Sequence, residues 1–152
     1  MSGSNRANVN IKVDRPIGLS EIPDVKTDWQ TEHTIRALVV DERSLALSFL
    51  AELKSRHFGD YRKIMKVAKL VACQPRVRNE NQVRPGKKYR ETYEMKGGHA
   101  RLFFFYGPQE EVVCTHGFLK SKASRKEQSL EFAKCDTFRN LFYEGMGKGL
   151  SR

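Results

Sequence analysis

The chain has 152 residues, of which 39% are hydrophobic and 10% aromatic. This length suits one folded domain, and the apolar content excludes a wholly disordered chain. No apolar run approaches the roughly 20 residues of a membrane span, and the first residues lack the apolar stretch of a signal peptide, so we expect no membrane partner and a cytoplasmic protein. Cys73, Cys114 and Cys135 are far apart and odd in number, which argues against a disulfide framework and a structural zinc site.

The positive charge of the chain is concentrated in one segment. The net charge is +10, and residues 54–90 contain 12 basic and 2 acidic side chains, whereas residues 1–53 and 91–152 have net charges of −2 and +2. Such an excess is typical of proteins that bind polyanions. The basic residues that we predict to bind RNA lie on a helix and on the loop after it: Arg62, Lys63, Lys66, Lys69, Arg76, Arg78, Arg84, Lys87, Lys88 and Arg90.

The amino-terminal part of the chain is expected to be extended. Residues 1–30 are polar and interrupted by prolines, and we predict a segment without regular structure that docks on the body of the protein, residues 31–146. His33–Val40 is interpreted as a first strand or as the start of a helix. From Asp41 the pattern is helical, with Asp41 and Glu42 placed to cap the helix. The apolar face predicted for this helix consists of Leu45, Phe49, Leu50 and Leu53.

A second helix is predicted after an interruption at residues 57–60. Its apolar residues recur at i, i+3, i+4 and i+7, and its basic residues lie mostly elsewhere on the helical wheel. The two helices together predict a hairpin with a basic outer face. Residues 74–88 contain prolines and a glycine and are predicted to form a loop. The apolar face of the second helix consists of Ile64, Val67, Ala68 and Val71.

Three strand-like runs follow, separated by turn sequences. They are Tyr89–Met95, Ala100–Tyr106 and Glu111–Leu119, and they predict an antiparallel meander whose middle strand is covered on both faces. Ser124 and Glu127 have the spacing of a capping box for a last helix. Glycines at positions 145, 147 and 149 are expected to end that helix before a flexible tail, residues 147–152. Its predicted apolar face consists of Leu130, Ala133, Thr137 and Leu141, with Phe138 and Phe142 alongside.

About a third of the chain, within Tyr93 to Tyr143, resembles the RelE/ParE superfamily of bacterial toxins, in particular its phage-derived, HigB-like branch. The resemblance is carried by YEMKGGHARLFFFY at 93–106 and VVCTHGFLKSKASRKEQSLEFAK at 112–134. The family has there an aromatic-Glu-Leu-Arg strand, a glycine turn, an Arg that opens the next strand, and His-Gly-Phe-x-Lys-Lys before a helix. This chain departs from that pattern at Lys96, where the family usually has Arg, and at Ser121, which interrupts the Lys pair.

The resemblance implies a fold and a biological role. The fold is α+β, with a helical hairpin packed on a small antiparallel sheet and a C-terminal helix. The role is that of the toxin in a type II toxin–antitoxin system, held in a hetero-oligomer by a cognate antitoxin, expected to be a helix-turn-helix protein. Many relatives are ribosome-dependent endoribonucleases that cleave mRNA, whereas the ParE branch inhibits DNA gyrase. We expect the first activity here, with the ribosome and mRNA as partners.

RNA cleavage without a metal sets the chemical requirements of the site. The 2′-OH must lose a proton, the charge of the phosphorane must be neutralised, and the 5′ oxygen must be protonated. Arg101 and Lys96 are predicted to clamp the phosphate. His116 is predicted as a general acid or base, because its unperturbed pKa of about 6.5 lies near neutrality. No carboxylate cluster offers a metal site, so no cofactor is predicted.

Further residues are predicted to support this chemistry. Strand alternation places His116, Phe118 and Lys120 on one face. Lys120 and Lys122 are expected to hold the substrate, and Phe118 offers a surface on which a base stacks. Tyr143 is a catalytic candidate by analogy with carboxy-terminal tyrosines in some relatives.

Structural roles and other functions stay open at this point. His116 is equally well interpreted as a hydrogen-bonded structural residue, Phe118 as a core residue and Tyr143 as an aromatic residue on a helix face. Two other functions are compatible with the sequence. One is a toxin that acts by binding gyrase or another host component, without nuclease chemistry. The other is a non-toxic nucleic-acid-binding protein of phage origin.

Overall fold

The computed structural model describes residues 16–120 and 125–150, with the side chains of 125–126 and 147–150 excepted. Six strands are present: Ile17–Glu21 (β1), Thr34–Val40 (β2), Val83–Pro85 (β3), Tyr93–Gly97 (β4), Ala100–Tyr106 (β5) and Glu111–Leu119 (β6). They form one sheet in the order β1-β2-β6-β5-β4-β3. The helices are Leu45–Arg56 (α1), Phe58–Cys73 (α2) and Arg125–Leu150 (α3), and a single 3-10 turn spans Thr27–Trp29.

The two faces of the sheet are covered by different helices. Alternate residues of β5, among them Leu102 and Phe104, pack with α1 and α2 in the main core. The residues between them, Phe103 and Phe105, pack with α3 in two smaller clusters. All of β5 up to Phe105 is buried. The prediction that the middle strand of the meander is covered on both faces is therefore confirmed.

The sheet is mixed, so the predicted all-antiparallel sheet is wrong in one respect. The meander β4–β5–β6 is antiparallel as predicted, with a bulge in β5 after Phe103. However, β2 pairs parallel with β6, from Thr34 opposite Glu111 to Ala37 opposite Cys114. Turn sequences predict pairing between neighbours in the chain, but they carry no information on strands that are separated by two helices and three other strands.

The amino-terminal segment contains regular structure, contrary to the prediction for residues 1–30. Within the described part, β1 pairs antiparallel with β2, with Ile17 opposite Val40. Ile17 and Leu19 contact the cluster under α3, and Ile22 is buried in the main core. An edge strand needs apolar residues only at alternate positions on one face, so single apolar residues suffice to form it. Residues 1–15 lie outside the described part of the chain.

The first helix begins three residues later than its predicted cap. Ser44 is the N-cap, and its side chain accepts a hydrogen bond from the Leu47 N–H at 3.2 Å. Asp41 and Glu42 adopt positive φ angles of 53° and 65° and form the turn between β2 and α1. The hydroxyl of Ser44 thus accepts the hydrogen bond of a free N–H at the start of the helix, which is the role predicted for Asp41 or Glu42.

The buried faces of α1 and α2 agree well with the apolar periodicity. The four residues predicted for the face of α2 are all buried. Leu50 and Leu53 of α1 are buried as predicted, whereas Leu45 is 46% exposed and Ala46 takes its place in the core. The interruption predicted at residues 57–60 consists of His57 alone, which is both the C-cap of α1 and the N-cap of α2.

The face predicted for α3 is confirmed at Phe142, which is buried, and at Phe138, which packs against the same cluster, but it is wrong at Leu130 and Thr137. Leu130 is 61% exposed and Thr137 is exposed, whereas the buried residues are Gln128, Phe132, Cys135 and Phe142. The helix turns its aromatic residues Phe132 and Phe142 towards the sheet, because aromatic side chains bury more area than aliphatic ones. It also continues to Leu150, past the glycines that were expected to end it before the predicted tail. The predicted cap, Ser124, lies outside the described residues. Over the described ranges, no helix has both the length and the apolar character needed to cross a bilayer.

Candidate functional site

Four basic side chains, here called the cation cluster, come together on the α3 face of the sheet: Arg84, Lys96, Arg101 and Lys120. Lys96 lies opposite Arg101 across β4 and β5, and Arg101 lies opposite Phe118 across β5 and β6. Arg84 belongs to the next strand, β3, and Lys120 directly follows β6. The charges of Arg84, Arg101 and Lys120 all act on Lys96. The register thus brings together Lys96, Arg101 and Lys120.

Arg84 enters the cluster from an unexpected position. The sequence places it in a basic loop, but residues 83–85 form β3, whose Arg84 lies opposite Glu94 of β4. Its guanidinium lies 5.7 Å from the ring of Phe132 on α3. A strand of three residues that ends in a proline carries too little pattern to be recognised in a polar, proline-containing segment.

Glu94 is a buried anion beneath the cluster. Its side chain is 0% exposed, and its Oε1 accepts a hydrogen bond from Arg84 Nε at 3.0 Å, with Arg84 Nη2 at the same distance. Within the described residues, the Oε2 atom has no hydrogen-bond partner. The carboxylate acts to raise the pKa of both Lys96 and Arg101. The sequence assigns no role to Glu94, although Glu94 occupies the Glu position of the aromatic-Glu-Leu-Arg pattern and an inward position of a strand.

The environment of Lys96 favours loss of its proton. Burial lowers its pKa below the usual range for lysine, and the charge of Arg84 adds to the effect, whereas Glu94 opposes it. Arg101 and Lys120 lower it further. A lysine in such surroundings exchanges a proton closer to neutral pH than an exposed lysine does, which suits proton transfer.

Arg101 is nearly buried and is partly engaged by its own turn. It is 9% exposed, and its Nη1 donates hydrogen bonds to the carbonyls of Gly98 at 2.8 Å and Ala100 at 2.9 Å. Its Nε has no partner within the described part of the chain. Burial lowers its pKa, but a guanidinium remains charged at any physiological pH. Arg101 is thus a fixed positive charge that also braces the β4–β5 turn.

His116 lies inside the fold and not on an open surface. It is 2% exposed, and its ring stacks on Phe103 with centroids 5.0 Å apart and planes 5° apart. Its Nδ1 is 2.8 Å from the hydroxyl of Thr115. Its Nε2 lies 3.0 Å from Glu131 Oε1, but the two do not align as a hydrogen bond.

The pKa of His116 differs from the value on which its predicted role depends. Burial, and then the charge of Lys134, lower this pKa to about 3. The carboxylate of Glu131 is partly exposed and lies off the Nε2–H direction, so it does not reverse the shift. His116 is therefore a neutral, packed side chain at neutral pH, which matches the structural interpretation of this residue.

The remaining catalytic candidates have different surroundings. Tyr143 donates a hydrogen bond from its hydroxyl to the carbonyl of Tyr106 at 3.2 Å and packs beside Phe105, at the end of β5 opposite to Arg101. The structure does not bring it to the cation cluster. Phe118 is half-buried, with its ring 5.9 Å from that of Phe103. Lys122 lies outside the described residues.

The basic residues predicted to bind RNA are divided between separate surfaces. Those of α2 are exposed on its outer side, away from the sheet: Arg62, Lys63, Lys66 and Lys69. In the following loop, Arg76 covers the ring of Tyr106 at 3.7 Å, and Lys88 lies 5.7 Å from the ring of Tyr89, which packs under α3. The loop residues Arg78, Lys87, Lys88 and Arg90 are exposed.

No protein-family model matches the chain, and no curated protein matches it in sequence. Over residues 16–120 and 125–150, no group of three or more His, Cys, Asp or Glu side chains has the arrangement of a metal site. The site offers the positive charges of the cation cluster, the buried carboxylate of Glu94 and the adjoining aromatic side chains of Phe118 and Phe132.

Proposed function

We propose that this protein is a RelE/HigB-like toxin of a type II toxin–antitoxin system, and that it cleaves mRNA on the ribosome at the cation cluster. The observation that carries the proposal is the convergence of Arg84, Lys96, Arg101 and Lys120 on one face of the sheet. A phosphorane carries one or two negative charges, and fixed cations stabilise it more than they stabilise the bound RNA substrate. The helical pair on one face of the sheet also agrees with the fold that the resemblance implies.

The proposed reaction assigns a role to each member of the cluster. The neutral amine form of Lys96 accepts the proton of the 2′-OH, and burial and neighbouring cations favour that form because they lower the pKa of Lys96. The 2′ oxygen then forms a bond to phosphorus, and the bond from phosphorus to the 5′ oxygen breaks. Arg101 and Arg84 neutralise the charge on the phosphoryl oxygens, and Lys120 protonates the leaving 5′ oxygen. The products are a 2′,3′-cyclic phosphate and a 5′-hydroxyl end.

In this proposal His116 and Tyr143 have structural roles and take no part in the chemical step. The stacking of His116 on Phe103 holds β6 against β5 beside the cluster. The hydroxyl of Tyr143 ties α3 to the far end of β5 through the Tyr106 carbonyl. The two residues are expected to affect stability when replaced, with an effect on cleavage only through the position of the cluster.

Mapping of mRNA ends after induction tests the proposal. Cells that express wild-type protein should arrest and show new 5′ ends within translated regions. Lys96→Ala and Lys120→Ala should abolish the new ends, while Lys134→Ala, which removes the same charge from an exposed position of α3, should retain them. Growth arrest with an unchanged set of transcript ends would overturn the nuclease assignment.

A Lys96→Arg variant separates proton transfer from binding of the phosphate. Arginine is positively charged at every physiological pH, so it can contact a phosphate but cannot accept the proton of the 2′-OH. We expect ribosome binding close to that of the wild type and a large loss of cleavage. Full cleavage by Lys96→Arg would show that Lys96 acts only as a charge.

Binding without cleavage is the second candidate function. It is favoured by the buried, neutral His116 and by the engagement of Arg101 with its own turn, because the first removes a predicted acid or base and the second occupies part of a predicted phosphate clamp. A growth arrest that survives Lys96→Ala and induces DNA-damage signalling would favour a toxin that binds gyrase. Harmless overexpression without an antitoxin would favour a non-toxic nucleic-acid-binding protein.

A further inference from the structure

An open groove of about 840 Å³ runs along the outer side of α2, and we call it the α2 groove. Its walls are α2, the end of α1 and the segment from Asp24 to Trp29. Asp24 is the one acidic residue among those that line it. The basic residues that line it are Lys26, Lys54, Arg62, Lys63, Lys66 and Lys69.

Asp24 fixes the two walls of the groove relative to each other. Its Oδ2 accepts hydrogen bonds from the hydroxyl of Tyr61 at 2.6 Å and from Lys54 Nζ at 2.7 Å. Tyr61 is 6% exposed and belongs to the main core, so the segment that carries Lys26 and Trp29 is anchored to α2. The carboxylate of Asp24 also neutralises Lys54. Five cations then remain in the groove without a second acidic side chain among its lining residues.

Three of these cations form a row along the helix. Arg62, Lys66 and Lys69 are spaced at i, i+4 and i+7, so they share one face of α2 and span about 10 Å along its axis. All three are exposed. An elongated row of charges is better matched to a chain of successive phosphates than to one small anion.

Aromatic side chains lie among the cations. Phe58, the first residue of α2, is 54% exposed, and one side of its ring stacks on Tyr61 with centroids 6.1 Å apart and planes 24° apart. Trp29 lies across the groove, with Lys69 Nζ 5.6 Å from its ring. Grooves that bind single strands combine a basic track with aromatic rings on which bases stack, and the exposed ring of Phe58 provides such a surface.

We propose that the α2 groove binds single-stranded nucleic acid, with phosphates along the row of cations and a base against Phe58. The groove faces away from the sheet on the side of α1 and α2, whereas the cation cluster lies on the α3 face. It is therefore a second nucleic-acid site, and its existence does not depend on whether the cation cluster cleaves RNA. An acidic peptide would satisfy the same cations, but it would not require a stacking surface.

Fluorescence anisotropy with a labelled decathymidylate tests the proposal on the full chain. This probe lacks a 2′-OH, so the reaction proposed for the cation cluster cannot consume it, and the two proposals fail independently. Each cation that contacts a phosphate contributes about −0.7 to the slope of log K against log salt concentration. Lys66→Ala and Lys69→Ala should each reduce the slope by about that amount. Lys134→Ala should leave the slope and the affinity unchanged.

Phe58 variants separate stacking from charge. Phe58→Ala should weaken binding about 5- to 10-fold at every salt concentration without changing the slope. Phe58→Leu, which keeps apolar area but has no ring to stack on a base, should weaken binding to a similar extent. The exposure of Phe58 predicts that both variants fold, and circular dichroism checks this.

Two results would overturn the proposal. One is an affinity and a salt slope that are the same for the wild type, Phe58→Ala and Lys66→Ala, since the decathymidylate would then bind elsewhere. The other is displacement of the decathymidylate by a glutamate decamer at the same concentration as by unlabelled decathymidylate. That result would make the groove a general anion-binding or protein-binding surface.

Discussion

Replacement of Glu94 by Gln tests whether a buried carboxylate holds the cation cluster together. The substitution keeps the shape of the side chain and an acceptor oxygen, but it removes the negative charge beneath Arg84, Lys96 and Arg101. Hydrogen bonds to charged groups contribute about 1.5–3 kcal/mol, and loss of one partner of a buried ion pair costs about 3–5 kcal/mol. Because the Arg84 side chain is 31% exposed and can turn towards water, we expect a loss of about 2 kcal/mol.

Thermal unfolding followed by circular dichroism measures this loss. In a domain of this size a loss of about 2 kcal/mol lowers Tm by roughly 6–8 °C. Glu91→Gln is the matched control, since Glu91 is exposed and lies three residues before Glu94. If Glu94→Gln melts at the same temperature as Glu91→Gln, the ion pair with Arg84 does not stabilise the fold as reasoned.

The same variant has a second, electrostatic readout. The carboxylate of Glu94 raises the pKa of Lys96, so its removal should lower that pKa further. An NMR titration of the lysine side-chain methylene signals follows this change directly. An unchanged pKa of Lys96 in Glu94→Gln would show that the carboxylate does not act on the proposed base.

Other side chains offer simpler tests. Gly117→Ala should lower the free energy of unfolding, measured with urea, by about 1–3 kcal/mol, because the added methyl group would overlap the ring of Phe49 on α1. Phe105→Ala should lower the free energy of unfolding by about 3–5 kcal/mol, since Phe105 is fully buried and its ring lies 5.4 Å from that of Phe142. A smaller loss would mean that α3 moves to fill the cavity left by the ring. The pKa of His116 is about 3 in the fold and about 6.5 in the unfolded chain. The contribution of the neutral ring to the free energy of unfolding is therefore complete above pH 6.5. Between pH 6.5 and pH 3 it falls by up to about 1.4 kcal/mol for each pH unit. His116→Gln should flatten this acid-side decrease in urea unfolding measured at pH 7 and 4.5, and an unaltered slope would contradict the low pKa.

Much of the fold follows from local sequence patterns. The bounds of β5 and β6 agree with the predicted runs, because the turn sequences on either side are short and the apolar runs are long. The buried face of α2 follows from the spacing of Ile64, Val67, Ala68 and Val71. In each case the deciding interactions are made by residues close together in the chain.

The features that the sequence did not predict depend on distant partners. The strand interpretation of His33–Val40 is confirmed by β2, but the parallel pairing of β2 with β6 and the edge strand β1 have no local signal. α3 buries Phe132 and not Leu130 because the aromatic residues of β5 lie opposite. The burial that lowers the pKa of His116 likewise results from the packing of β5 and α3 around it. Glu94 belongs to a recognisable strand pattern, but its position beneath the cluster emerges only from the register of β3 and β4.

The parallel contact between β2 and β6 has a consequence for the order in which the protein assembles. The meander β4–β5–β6 is made by neighbours in the chain, whereas Thr34 and Glu111 can meet only after a long loop is closed. Non-local pairings of this kind form late, and the strands that depend on them are expected to exchange their amide protons first. Three members of the cation cluster, Lys96, Arg101 and Lys120, lie on or directly after strands of the early-forming meander, while the segment from Asp24 to Trp29 lies between β1 and β2. We therefore expect this part of the cation cluster to be assembled before the α2 groove acquires its second wall.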